Sequence, residues 1–491
     1  MSHTTQRRAA TALIAAGVAL TAAACSGGNA HQSGSAAADA DGHDHAESGH
    51  HIAQTSTEKT ETAGRAPRLV STYDGGILVV DANTLEEVAD LPIDGFNRVS
   101  PAGDGRHVAV STTGGWAFVD AGTWAQGHGD HFHYYNAQPA ISDVLVKADT
   151  AGHAVAHGGK LSMWDDGGTG VMQQADVAAL TDGVAAGKVD ITRTFTPADG
   201  AYHGVGVALG DGNLLTTLGN ADTRNGGQVL DASDKVLVSS DQCPGVHGEG
   251  TLGELAILGC EDGMLMFHGD HTHKIASPDA FGRIGNIFTV EDNPVVLGDY
   301  KQDKDMGIEL DTISLVSTEG HDAAMKTVDT GTTYTWRGLA RGTDGEVLVL
   351  GTDGKLQVRD AATGDLQRSV DVIDAWKAPE QWQKAHPQLI VVEGMAYVLD
   401  PAAKKVHAVD YVTGKVWKSA DLSRAVNETT VATAEEPTAA HTESAGDATG
   451  DATGDAAESG HAGHDHADAD HAHADAGHDH AEHEHDAEHS H

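Results

Sequence analysis

Basic residues are scarce in this chain: 30 Lys and Arg stand against 73 Asp and Glu in 491 residues, a formal charge of −43. A field of that sign repels phosphate backbones and anionic headgroups, so nucleic acid and electrostatic membrane docking are excluded and cations become the natural ligands. Aromatic residues make up only 4% and hydrophobic residues 39%. That is thin for a chain of this length, and part of it is expected to carry no core. The apolar run from Ala9 to Leu20 is too short to span a bilayer and stay there. No Gly-x-Ser-x-Gly elbow, phosphate loop or nucleophile and base pair stands out, which argues against common enzyme chemistries. Cysteine is limited to Cys25, Cys243 and Cys260.

What the chain does have is histidine, 32 in all, and its placement divides the sequence. Residues 1–24 read as an export signal, with Arg7 and Arg8 ahead of the apolar run and small residues before Cys25. Cys25 is the expected lipidated mature N-terminus, with ordinary secretion as the alternative. Residues 25–64 read as a disordered tether of Ala, Ser, Gly, Asp and His that includes His43, His45, His50 and His51. Residues 431–491 read as a disordered acidic tail. The segment from Ala425 onward carries 17 acidic residues, no Lys or Arg, and twelve His, among them His461, His464, His466, His471, His473, His478, His480, His483 and His485. His-x-His and Asp-His pairs on a pliable chain can close many sets of three or four ligands around Zn²⁺, at an entropy cost each time, which suits capture and relay. Nickel and copper suit imidazole equally, and spacing does not choose among them.

Residues 65–430 are expected to form one all-β domain. Short runs rich in Val, Leu and Ile are punctuated by Gly and Asp-Gly turns. A unit of the form Gly75-Gly76-Ile77-Leu78-Val79-Val80-Asp81-Ala82 recurs as Gly114-Gly115-Trp116-Ala117-Phe118-Val119-Asp120-Ala121 and in weaker copies. The period of roughly 40 to 50 residues is that of a four-stranded propeller blade. Eight blades are favoured, with seven as the alternative. Arg98, His133, His203, His247, Arg283, Arg337 and His386 each precede a candidate inner strand, and the segment around Arg424 is expected to close the first blade. Exported and oxidised, Cys243 and Cys260 are expected to be bonded to each other, a pair of reduced metal ligands being the competing reading.

Within this domain His131 and His133 fall on one side of an extended chain. His203 and His247 occupy the equivalent ring position of the next two blades, so the expected metal site is His131, His133, His203 and His247, with Asp130 and Glu249 as orienting or substitute ligands. A secondary group, His268, Asp270, His271 and His273, repeats the Asp-His-x-His spelling. His107, His153, His157, His321 and His407 read as isolated residues without a functional role.

The segments Asp130 to Tyr134, Cys243 to Glu249, Phe281 to Gly285 and Trp336 to Ala340 resemble the AztD-type zinc metallochaperones of bacterial periplasm and cell surface, over most of Arg65 to Leu422. The resemblance implies a non-enzymatic protein that binds Zn²⁺ and hands it to the zinc solute-binding protein of an ABC importer. It carries the zinc-site assignment first onto His131, His133 and His247. The long His-rich tail is not attributable to the family in general. The expected protein is therefore an exported, monomeric zinc carrier that meets the membrane only through a lipid anchor. Its rivals are a propeller enzyme, quinoprotein-like or a metal-dependent lactonase, and a cell-surface zinc buffer without a specific partner.

Overall fold

The computed structural model describes residues 58–128, 131–318 and 324–435. Among them the strands form eight four-stranded antiparallel sheets and one three-stranded sheet, with a single short α-helix, Leu180–Ala185. The fold is all-β and propeller-like. The leading strands of the eight larger sheets are Thr429–Ala432, Arg98–Pro101, Ala151–His157, Gly206–Ala208, Glu249–Leu252, Ile287–Val290, Leu339–Arg341 and Gln388–Val392. Each is followed by strands that run outward in chain order. Thr429–Ala432, from the far end of the chain, pairs antiparallel with Arg68–Tyr73.

The second and third strands of a sheet are apolar on both sides because both faces meet a neighbouring sheet. Gly76–Asp81 and Gly115–Asp120 are buried at every position. The outermost strand Lys415–Asp421 is mostly exposed and has lost the apolar alternation. Between consecutive sheets lie separate apolar clusters. Trp116 and Phe118 pack against Leu161 and Met163, and Leu78 and Val80 of the first four-stranded sheet pack against Leu399 and Val406 of the last. The recurring Asp after the buried strand has a local job. Its carboxylate accepts backbone N–H groups of the following turn, from Thr84 to Asp81, Gly122 to Asp120, Ala402 to Asp400 and Thr413 to Asp410.

Two ring positions differ from the sequence expectation. The third sheet is led by Ala151–His157, not by the strand bearing His133. Residues Thr123–His128 and His131–Asn136 form a hairpin inserted between the third and fourth strands of the second sheet, and its alternating pattern imitates a blade strand. The first sheet is led by Thr429–Ala432 rather than by the residues around Arg424, whose guanidinium instead pairs with Asp90 at 2.8 Å and lies over the Tyr73 ring. In addition Thr60–Thr62, assigned to the tether on composition, adds a strand to the inserted hairpin. Composition cannot register a partner strand that waits more than seventy residues away. No helix among the described residues is long and apolar enough to cross a membrane.

Candidate metal centre

The four histidines expected to converge are divided between two groups, and each group recruits a histidine the sequence reading had passed over. Among the described residues, two sets of three potential ligands lie within 4.8 Å of one another: His153, His203 and His247, and His128, His131 and His133.

The first set is assembled from three consecutive sheets. His153 lies near the start of the leading strand of the third sheet, while His203 and His247 stand just ahead of the leading strands of the fourth and fifth. Their rings approach with centroids 4.8 to 5.9 Å apart, and Nε2 of His153 is 3.1 Å from Nε2 of His203. The other nitrogen of each ring is occupied. Nδ1 of His203 contacts Asp166 Oδ2 at 2.7 Å, Nδ1 of His153 contacts Glu249 Oε1 at 3.5 Å, and Nδ1 of His247 donates to the Gly285 carbonyl at 3.0 Å. A proton held on Nδ1 leaves the Nε2 lone pair for a metal, and the acceptor fixes the ring's direction. Glu249 thus faces His153, a histidine outside the expected set.

Burial alone lowers the pKa of His153, yet the Glu249 carboxylate, with Asp166 behind it, holds it above the ordinary imidazole value. Glu249, despite its own burial, stays below the usual carboxylate range because His153 faces it. His247 is pushed down to about 3 by burial and by the neighbouring His153. One ring is therefore inclined to carry a proton that a metal must displace, and another is already neutral.

Local backbone explains how His247 reaches its place. Cys243 and Cys260 are disulfide-bonded, 17 residues apart in sequence, tying the loop before His247 to the strand Leu255–Cys260. His247 N–H donates to the Gly259 carbonyl at 3.0 Å. A Cβ on Gly259 would lie 2.4 Å from the Ile284 carbonyl oxygen and 2.7 Å from that of His247, so only glycine permits the approach. Gly248, at φ +83°, turns the chain immediately after the ligand.

The second set is local. His128 and His131 are cross-strand partners on the inserted hairpin, and His133 shares the face of His131 as the strand alternation requires. Nε2 of His131 is 3.1 Å from Nε2 of His133 and 3.5 Å from Nδ1 of His128. Glu61, on the added strand Thr60–Thr62, contacts His133 Nδ1 at 2.6 Å. His128 and His131 are exposed. The secondary group does not gather into a third set. His268 and His271 face each other at an exposed hairpin tip, where His271 Nδ1 meets its own neighbour Asp270 at 2.7 Å, and His273 pairs with Met266.

His107, His157 and His407 are engaged by Asp104, the Ala208 carbonyl and Ser419, in keeping with structural roles. His153 is not isolated, and His128 had drawn no assignment. The signal that could have found His153 was the spacing of the leading strands, hidden by the inserted hairpin. His128 was findable, since a two-residue gap between alternating runs is a hairpin signal in the sequence and sets His128 opposite His131. Asp130, His321, Cys25 and the histidines of the tether and tail lie outside the described residues.

The chain is similar to a zinc chaperone. It is 24% identical over 361 residues to the zinc chaperone AztD of Citrobacter koseri, covering 70% of this chain and 80% of AztD. A crystal structure of Citrobacter koseri AztD superposes with a TM-score of 0.65 at 21% identity, covering 75% of this chain and 98% of AztD. The apo form of AztD gives 0.64 at 20% identity, with the same coverage. At these identities the AztD structures speak for the fold. No family model matches the chain. The relatives bear the name of a chaperone rather than an enzyme.

Proposed function

We propose that this protein is an exported zinc metallochaperone of the AztD kind, which captures Zn²⁺ and passes it to the zinc solute-binding protein of an ABC importer. The observation that carries the reading is the convergence of His153, His203 and His247 from three sheets, with the outward nitrogen of every ring engaged by Asp166, Glu249 or the Gly285 carbonyl. A rigid set of imidazole nitrogens with oriented lone pairs is suited to tetrahedral Zn²⁺. The exposed set His128, His131 and His133 is a second, more accessible holding point, and the His-rich tether and tail carry the same donors in their sequence. Zinc passes between such sets by exchanging one ligand at a time, so no single step strips the ion bare.

In the same reading the eight larger sheets are the blades of one closed propeller. The supports are the pairing of Thr429–Ala432 with Arg68–Tyr73 and the apolar core shared by the last sheet and the first. Export and attachment through Cys25 rest on the sequence, and the Cys243–Cys260 bond suits an oxidising compartment. The test is to mix zinc-loaded protein with the apo solute-binding protein. Transfer faster than zinc escapes to a chromophoric chelator is expected. Transfer limited to that escape rate would reduce the protein to a zinc buffer.

A further inference from the structure

The cavity onto which His153, His203 and His247 open, of about 490 Å³, is lined on its other sides by Arg98, Arg283 and Lys301. Three cationic side chains beside a site for a divalent cation are unfavourable unless something anionic joins them. Arg98 is satisfied within the fold: it pairs with Glu428 at 3.0 Å, a carboxylate it shares with Arg337. Arg283 and Lys301 are different. Their backbones exchange hydrogen bonds at 2.9 Å in each direction, which sets the two residues directly opposite, with their side chains on one side of the paired chains. Like charges so placed repel. Among the described residues neither side chain has a hydrogen-bond or ion-pair partner, although both are half-buried. Asp299, the carboxylate nearby, is spent on the Gly285 and Asn286 backbone N–H groups and the Asn286 amide, at 2.6, 3.0 and 2.7 Å.

Two deficits thus meet in one cavity. A tetrahedral zinc on the three imidazoles lacks a fourth donor within that set, and two opposed cations lack a hydrogen-bonded anion, the cavity's own carboxylates being turned to other groups, Glu249 to His153 and Asp299 to Gly285 and Asn286. We infer that the cavity binds a carboxylate which closes the coordination of the metal while Arg283 and Lys301 hold its charge. A carboxylate fits because it bridges a metal through one oxygen and a guanidinium through the other. It comes either from a small organic acid or from an Asp or Glu side chain of a docked protein. In the second case it is the first ligand of the receiving protein to touch the zinc. This inference rests on the buried histidines being a metal site.

The test uses the full chain loaded with one equivalent of cobalt(II), whose visible absorption reports its donor set. A band missing from His203→Ala identifies the buried site. Acetate added at constant ionic strength against perchlorate is expected to change that band saturably. In the Arg283→Gln/Lys301→Gln variant acetate should bind at least about tenfold more weakly, the scale of a lost charged hydrogen-bond pair. Cobalt affinity in perchlorate should hold or rise, since repulsion has been removed, which a merely damaged fold cannot produce. A blocked Glu tripeptide, compared with its Gln counterpart, separates the sources: tighter binding than acetate points to a protein side chain, weaker binding to a small acid. A buried-site band indifferent to acetate in the wild-type chain overturns the inference and leaves the metal reading standing. Absence of any buried-site band overturns both.

Discussion

The two histidine sets use the same donors and differ in what surrounds them. His128, His131 and His133 come from one short hairpin and stand largely in solvent, with Glu61 against His133. His153, His203 and His247 come from three sheets, are partly buried, and have every Nδ1 engaged. A local set is cheap to assemble but costs side-chain entropy whenever it closes on an ion. A set built across sheets has that ordering paid by the folding of the whole domain. The buried set is therefore expected to hold zinc more tightly and the hairpin set to exchange it faster.

Removing a donor should break the comparison most sharply. His203→Ala or His247→Ala is expected to weaken the tightest zinc site by more than about 100-fold, beyond the loss typical of outer-shell changes. His131→Ala should leave that site intact and slow only capture, as read by chelator competition and stopped-flow loading. Asp166→Asn and Glu249→Gln, which keep shape and remove the orienting charge, should each cost about 10- to 100-fold at the buried site. Glu61→Gln, at the exposed hairpin, should cost less than about threefold in the same competition, as solvent-exposed pairs do.

Breaking the Cys243–Cys260 bond should destabilise the domain by about 3 kcal/mol for a loop of this length. Denaturant unfolding of oxidised and reduced protein measures it. Zinc affinity should fall at the buried site, whose His247 the bond anchors, and not at the hairpin.

Acidity sharpens the contrast further. Metal binding to the buried set requires His153 to lose a proton that burial disfavours but Glu249 and Asp166 retain. Its zinc affinity should therefore begin to fall while pH is still above the ordinary imidazole value of 6.5. Glu249→Gln should move that onset to lower pH. Equal affinity at pH 5 and 7.5 would refute the imidazole assignment.

The smallest effect is on the apo fold. His247, at about 3, and His386, lowered to about 4 by burial and by Arg337, are neutral when folded and protonate near 6.5 when unfolded. The unfolded chain then binds more protons below 6.5, so stability is complete above that value and declines as pH falls toward 4. His386→Gln should flatten part of this decline in thermal melts between pH 4 and 7.

Much of the fold is legible because it is written locally. Gly-turn, buried apolar strand and Asp-capped turn repeat along the chain, and each unit is dictated by neighbours in sequence, as at Gly76–Asp81 and Gly115–Asp120. His203, His247 and Glu249 could be found from their place relative to such units. His153 could not, because the hairpin 123–136 inserts two strands with the same alternation and displaces the register by one candidate strand. Glu428 was missed in favour of Arg424 for a related reason: Thr429–Ala432 is a short strand whose partner, Arg68–Tyr73, lies at the other end of the domain.

By itself the sequence pointed to cations as the class of ligand and determined the kind of fold, since charge and imidazole content follow from composition and strand periodicity from nearest neighbours. For Cys243 and Cys260 it favoured a disulfide over a pair of reduced metal ligands, and the structure shows the bond. Only the tertiary structure decided which histidines come together. His153, His203 and His247 are brought together by the packing of successive sheets, and that juxtaposition depends on how many strands intervene rather than on any residue near them. The same packing set Arg283 against Lys301 beside the histidine-lined cavity, a pairing of like charges that no local pattern announces.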